Sequence, residues 1–433
     1  MALAWTGALD DVPLLNGTAA ALIETAGAAA LISAWWRRQR RWATRILPAI
    51  LIGVAAAVGL IAIALWVTGT VTDAYPPSFA VWVGAGFAAI AGFPLVLRHA
   101  GTGRPAVWRR TAAALAIPLT LTGAFLRIDQ EYGIWPQLGD VLGHSGALDG
   151  QHGLHNPPAT SAGDQQGVIV DLDAPSTRSH FKHRPGVVFL PPAYYGPDRA
   201  NLPVLVMLVG APGTPINWLK SGHGQNTDNA YAATHHGIAP VLVVVDQNGS
   251  ATADSECVDH APGAGAETYL ATDVPAFITD TLHITHNPAH WGIIGFSEGG
   301  TCALDIVLRH PDVYRHLVDL GGDAAPNLGN HAHTLAALYN GSTAAEQAHD
   351  PATLLTQHRY PGVTAWFAAG ADDTRGITAG KRMAADTAKD GIPTHQFVGI
   401  GGHNWQFASD ALARIMAQLC DELGCADVNG PAR

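Results

Sequence analysis

Hydrophobic and polar positions divide this chain into two stretches with different patterns. Before residue 130 the apolar residues run almost unbroken, in four stretches at roughly 15–34, 47–70, 78–97 and 111–127. The second, ILPAILIGVAAAVGLIAIALWVTGTV, is uncharged and long enough to cross a hydrocarbon core of about 30 Å as a helix. The third, FAVWVGAGFAAIAGFPLVL, is nearly as clear. The first carries Glu24, and the fourth is short and contains Pro118. After residue 166 the pattern changes to short β-branched runs: GVIVDLDA, GVVFLPP, PVLVMLVG, PVLVVVDQ, HWGIIGF, HLVDLGG, VTAWFAAG and HQFVGIGG. Such continuous runs predict strands buried on both faces, as in a parallel sheet covered by helices. Helical patterns lie between the later runs, namely ETYLATDVPAFITDTLH, SEGGTCALDIVLRHP and AGKRMAADTAKDG. The alternation predicts a doubly wound α/β domain, with ligands bound at the carboxyl ends of its strands.

The chain has 433 residues, enough for two or three domains. We expect a transmembrane domain over 1–130, a linker over 131–166 and the α/β domain over 167–433. The linker stretch GHSGALDGQHGLHNPPATSAGDQQG is polar and rich in Gly and Pro. Its His144, His152 and His155 are irregularly spaced, which predicts solvated side chains and no metal site.

Charge separates the parts further. Up to Arg127 there are ten arginines against Asp10, Asp11, Glu24 and Asp73, about +6. The whole chain carries −11, so the remainder carries about −17. No basic stripe accompanies it, which excludes nucleic acid as a partner. Nine of the ten arginines sit in two loops, WWRRQRRWATR and the segment of Arg98, Arg104, Arg109 and Arg110. Basic loops stay cytoplasmic. The chain is therefore expected to be a multi-pass cell-membrane protein in contact with the lipid bilayer, with the N-terminus outside and the α/β domain extracytoplasmic. A cleaved leader fits poorly, because several spans follow one another. Glu24 within a span is a functional candidate unless a neighbouring helix bonds it. Trp35, Trp36 and Trp42 suit interfacial anchors. Cys420 and Cys425 flank a short turn and could pair outside the cytosol; four free thiols is the open alternative.

The chemistry centres on Gly295-Phe296-Ser297-Glu298-Gly299. This G-x-S-x-G follows a strand and opens a helix, the context a nucleophile elbow requires. A serine hydroxyl needs a base. His403, in GIGGHNWQF after the last strand, is the best placed. An acid should follow the preceding strand, where Asp372 and Asp373 stand; Asp373 is favoured and Asp372 is the alternative. An oxyanion hole needs two backbone N–H groups. Glu298 would supply one, and Ala211, in the loop Gly210-Ala211-Pro212-Gly213, the other. The Glu298 side chain could touch substrate or a neighbouring loop, or only favour the helix N-terminus. Trp218 could line an acyl or aromatic group, or equally serve in packing. No metal or cofactor is called for.

With these residues in place, the chain resembles the esterase D, feruloyl esterase and mycolyltransferase branch of the α/β-hydrolases, in its membrane-anchored actinobacterial form. The resemblance rests on the ETYLATDVPAFI helix, the GFSEGG elbow followed by ALDIVLRHPDVY, and GGHNWQ, and covers roughly 180–420. It implies an α/β-hydrolase fold, triad roles for Ser297, His403 and one of Asp372 and Asp373, and a wall beside the histidine shaped by Trp405. The order Ser, Asp, His is that of such enzymes. The loop APGTPINWLKSG lacks the charged pair that holds trehalose in mycolyltransferases, so that substrate does not carry over. The expected function is a serine esterase cleaving a lipid or envelope ester, including an aminoacylated phospholipid, through an acyl-serine. The alternatives are acyl transfer to a sugar or lipid alcohol and a catalytically silent scaffold.

Overall fold

The structure, a computed structural model, describes residues 12–15, 18–36, 40–68, 77–141, 154, 166–197, 199–250, 253–260 and 264–428. The chain divides into two compact units, Met1–Ser145 and Gly146–Arg433.

Among the described residues the first unit holds four long helices: α1 (Thr18–Trp35), α2 (Arg40–Thr68), α3 (Pro77–His99) and α4 (Arg104–Tyr132). Each contains a segment long and apolar enough to cross a membrane. On α2, Leu51, Ile52, Val58 and Ile63 are 60–62 % exposed, a surface that hydrocarbon tolerates and water does not. Small residues set the spacing between helices: a Cβ at Gly53 of α2 would run into the Ala88 backbone of α3. The fourth helix is longer than its apolar run and passes through Pro118, as helices in membranes can. Glu24 is paired. Its Oε2 lies 2.5 Å from the Arg127 guanidinium of α4, so each charge has the other as its partner.

The expected linker begins as ordered structure. Pro13 bridges to Gln137, the Leu138 N–H donates to the Val12 C=O, and Leu138–Val141 form a helical turn. Leu154 is buried among the core residues of the second unit. His144, His152 and His155 lie outside the described residues.

All eight predicted runs are strands: β1 (Val168–Leu172), β2 (Gly186–Leu190), β3 (Val204–Leu208), β4 (Val241–Val244), β5 (Trp291–Phe296), β6 (His316–Leu320), β7 (Thr364–Gly370) and β8 (Thr394–Gly399). They form one sheet in the order β1-β2-β4-β3-β5-β6-β7-β8. Pairing is parallel from β4 through β8, while β1 and β2 run antiparallel. The alternation of side chains along a strand splits each apolar run between two cores. Val204, Val206 and Leu208 join one core and Leu205 and Met207 the other. Helix α5 (Gly224–Thr234) precedes β4, and α6 (Val274–Leu282) precedes β5. Helix α7 (Glu298–Arg309) follows β5, α8 (Thr374–Lys389) follows β7, and α9 (Trp405–Glu422) follows β8. Helices α6, α7 and α8 contribute to the first core and α9 to the second. Both faces of the sheet are therefore covered, as expected for this α/β-hydrolase fold.

Candidate active site

Ser297 is the only residue between β5 and α7. Its backbone stands at φ 59°, ψ −124°, a conformation that L residues with a side chain resist. The turn is held by a Ser297 N–H bond to the Leu320 C=O of β6 at 2.9 Å. Strand and helix approach so closely that a Cβ at Gly295 would run into the Gly299 carbonyl. The flanking glycines of the motif are thus steric requirements.

His403 reaches the serine from the loop between β8 and α9. Its Nε2 lies 2.7 Å from Ser297 Oγ, and its Nδ1 lies 2.7 Å from Asp373 Oδ2. The second Asp373 oxygen accepts the Gly376 N–H at 2.8 Å, so the carboxylate also caps α8. Burial disfavours the Asp373 charge, but the hydrogen bond and charge of His403, the Gly376 N–H and Arg375 outweigh it and hold the carboxyl below its usual range. Gly321, at φ 73°, lies against this pair: a Cβ there would stand 3.2 Å from both Asp373 Oδ2 and His403 Nδ1. Asp372 is exposed, and its N–H donates to the Gly401 C=O. The structure thus brings Ser297, His403 and Asp373 together and leaves Asp372 out of the series.

The two segments that carry the expected oxyanion donors lie beside the serine. Glu298 heads α7, where N–H groups lack intrahelical acceptors. Gly210, in the loop bearing Ala211, lies on the nucleophile: a Cβ at Gly210 would be 2.9 Å from Ser297 Cβ. The Glu298 side chain is buried and touches a neighbouring loop. Its Oε2 accepts from Gln247 Nε2 at 2.8 Å and Asn248 Nδ2 at 3.0 Å. Burial, and then the nearby Asp254 carboxylate, push its carboxyl well above the usual range.

Trp218 requires a correction. It is fully buried, its Nε1–H donates to the Leu208 C=O at 2.7 Å, and its ring meets Trp405 edge-on at 5.2 Å. It packs the second core and does not line a substrate site. Trp405 is also buried; it supports Phe296 at 5.0 Å, and Phe296 in turn lies 5.0 Å from the His403 ring. Its influence on the site passes through Phe296.

Several residues escaped the sequence reading. The turn Asp246-Gln247-Asn248 after β4 supplies side chains to the loops around Ser297, and Asp246 receives Arg184 through both oxygens. Cys257 and Cys302 form a disulfide that the sequence did not suggest; Cys420 and Cys425 pair as the sequence allowed. Cys257, Glu298 and Cys302 gather as metal ligands would, but both sulfurs are spent on each other. The polarity of the Asp-Gln-Asn run, at the end of an otherwise apolar strand, was the available signal.

The family model for Esterase matches residues 179–419, more than half of the chain. The chain belongs to the Esterase family. This agrees with the esterase D, feruloyl esterase and mycolyltransferase branch read from the motifs, and makes the protein a serine hydrolase acting on ester bonds. An uncharacterized protein of Corynebacterium glutamicum is 31% identical over 351 residues, 78% of this chain and 80% of that protein. The S-formylglutathione hydrolase of Paracoccus denitrificans is 27% identical over 171 residues, 34% of this chain and 61% of that protein. Among solved structures, an S-formylglutathione hydrolase from Agrobacterium tumefaciens covers 60% of this chain and 97% of its own at 18% identity, with a TM-score of 0.49.

Proposed function

We propose that this esterase is anchored in the cell membrane by α1–α4 and cleaves a lipid or cell-envelope ester outside it, an aminoacylated phospholipid among the candidates. The observation that carries the catalytic part is the unbroken series Ser297 Oγ, His403, Asp373, built on a strained serine at a helix head. Ser297 Oγ attacks the ester carbonyl carbon as its proton passes to His403 Nε2. The N–H groups of Glu298 and Ala211 receive the developing oxyanion. The intermediate collapses, and the leaving alcohol takes the proton from His403. Water then attacks the acyl-serine, gives a proton to His403, and the acid leaves as Ser297 recovers it. Asp373 holds the imidazole with Nδ1 protonated and offsets its positive charge. A lipid or sugar alcohol in place of that water would make the enzyme an acyltransferase.

The anchoring part rests on four apolar helices and on the arginines of two loops, which the positive-inside rule places in the cytoplasm. Detergent-solubilised protein and its Ser297→Ala variant are to be assayed on short-chain nitrophenyl esters and on extracted envelope lipids, with and without added alcohols. The proposal expects turnover by the parent alone. Equal turnover by both proteins removes the nucleophile assignment. Product that requires an added alcohol selects transfer over hydrolysis.

A further inference from the structure

Strand β4 is separated from β5 by β3. A side chain leaving the end of β4 must cross the end of β3 to reach the elbow after β5. Gln247 does so. It is fully buried, and its Nε2 makes two bonds. One goes to the Val209 C=O at 2.5 Å, the other to Glu298 Oε2 at 2.8 Å. An amide NH₂ has two hydrogens, so each partner takes one. Val209 opens the loop that carries Ala211, and its C=O lies one peptide unit before the Ala211 N–H. Glu298 carries the other donor on its own backbone. We propose that Gln247 is a positioning residue that ties together the two halves of the oxyanion hole, and so fixes the separation of the Ala211 and Glu298 N–H groups. The inference rests on the esterase mechanism above and deepens it.

The surroundings hold Gln247 in place. The Ser255 hydroxyl donates to the Gln247 C=O at 2.7 Å, and the Asn248 Oδ1 accepts the Ser255 N–H at 2.8 Å. The Cys257–Cys302 disulfide then returns the same loop to α7, four residues beyond Glu298. A second tie comes from Asp246, whose partner Arg184 donates to the Gly213 C=O at 2.9 Å. The loop after β3 is therefore held at two points, at Val209 by Gln247 directly and at Gly213 by Arg184, which Asp246 binds. An oxyanion hole acts only if its donors are fixed before charge develops, because reorganisation during the reaction would offset their gain. A buried two-pronged amide supplies that rigidity.

The test is Gln247→Met, similar in length and unable to donate, in the full-length detergent-solubilised enzyme. Deleting one oxyanion donor lowers kcat about 10²- to 10³-fold; letting two donors drift is expected to lower it about 10- to 100-fold, with KM within about twofold. A short-chain trifluoromethyl ketone, which forms a tetrahedral oxyanion on the serine, should lose affinity by a similar factor. A purely structural role would not move the ketone and kcat in step. Gln247→Asn keeps the amide but is one methylene too short to span both partners. It carries the test if the Met variant does not fold, with the same losses expected. Turnover within about twofold of the parent, or a fall in kcat with ketone affinity unchanged, overturns the proposal. Ser297→Ala is run beside them. Its full turnover would overturn the hydrolase mechanism itself, whereas an inactive Ser297→Ala with a parent-like Gln247→Met overturns only the role of Gln247.

Discussion

Replacing Asp373 by Asn separates the electrostatic work of this side chain from its structural work. The carboxylate is 1 % exposed, accepts from His403 Nδ1 at 2.7 Å and accepts the Gly376 N–H at 2.8 Å. Asn has the same shape but one acceptor oxygen. With that oxygen on Gly376, its NH₂ faces Nδ1 and forces the imidazole proton to Nε2, where it blocks transfer from Ser297. With the oxygen on His403, the NH₂ opposes the Gly376 N–H and leaves buried donors unpaired. The first arrangement keeps the cap, and Asn caps about as well as Asp. Stability should therefore change by less than about 1 kcal/mol, while the wrong tautomer lowers kcat by about 10⁴-fold. At 1.36 kcal/mol per decade this is about 5.5 kcal/mol of transition-state stabilisation. The assay is kcat and KM on nitrophenyl butyrate, beside a thermal melt, for Asp373→Asn and Asp372→Asn. The exposed Asp372 variant should keep parental turnover. An active Asp373→Asn, or an inactive Asp372→Asn, refutes the assignment of the acid.

Three further outcomes follow from the packing. Gly321→Ala places a methyl 3.2 Å from both Asp373 Oδ2 and His403 Nδ1 on a φ of 73°; turnover should fall at least tenfold, about 1.4 kcal/mol, and unaltered kinetics would contradict the geometry. Glu267 is opposed by burial but bound by His310 and Arg309, at 2.8 and 2.7 Å, which lowers its carboxyl to about 2. A depressed acid stabilises the fold above its unfolded value and loses that contribution as pH falls, here between about 4.5 and 2, for about 3 kcal/mol in all. The melting difference between parent and Glu267→Gln should shrink across that window, and a constant difference would refute the reading. Finally, Cys257 and Cys302 are 45 residues apart, and removing their disulfide by Cys257→Ala with Cys302→Ala should destabilise by about 4 kcal/mol; an unchanged denaturation midpoint counts against it.

The inner strands β2 to β7 were legible because a strand buried on both faces must be apolar at every position; the edge strands β1 and β8 proved only partly buried, with Val398 of β8 exposed. The elbow was legible because a sharp strand-to-helix turn demands small residues beside the serine. What joins distant segments was not. The sequence favoured Asp373 over Asp372 only by its distance from Gly370; the choice itself depends on which carboxylate turns inward to cap α8 and meet His403. Trp218 read equally as a substrate-lining or a packing residue, and its indole N–H finds the Leu208 carbonyl within the core. The Cys257–Cys302 bridge and the reach of Gln247 over β3 depend on strand order, which the runs do not encode. The ordered start of the expected linker has the same cause: Pro13 and Gln137 are far apart in sequence and pair only in the fold. The Glu24–Arg127 pair is a further case, a charge in a span explained by a partner 103 residues away.

The central claim is that Ser297 becomes covalently acylated during turnover. The most direct measurement is mass spectrometry of the full-length protein, quenched during turnover of a nitrophenyl ester and labelled in parallel with a fluorophosphonate, with peptide mapping of the adduct. The account predicts one acyl or phosphonyl group per chain, located on Ser297, and none in Ser297→Ala. An adduct on another residue, or steady turnover by Ser297→Ala, would contradict it.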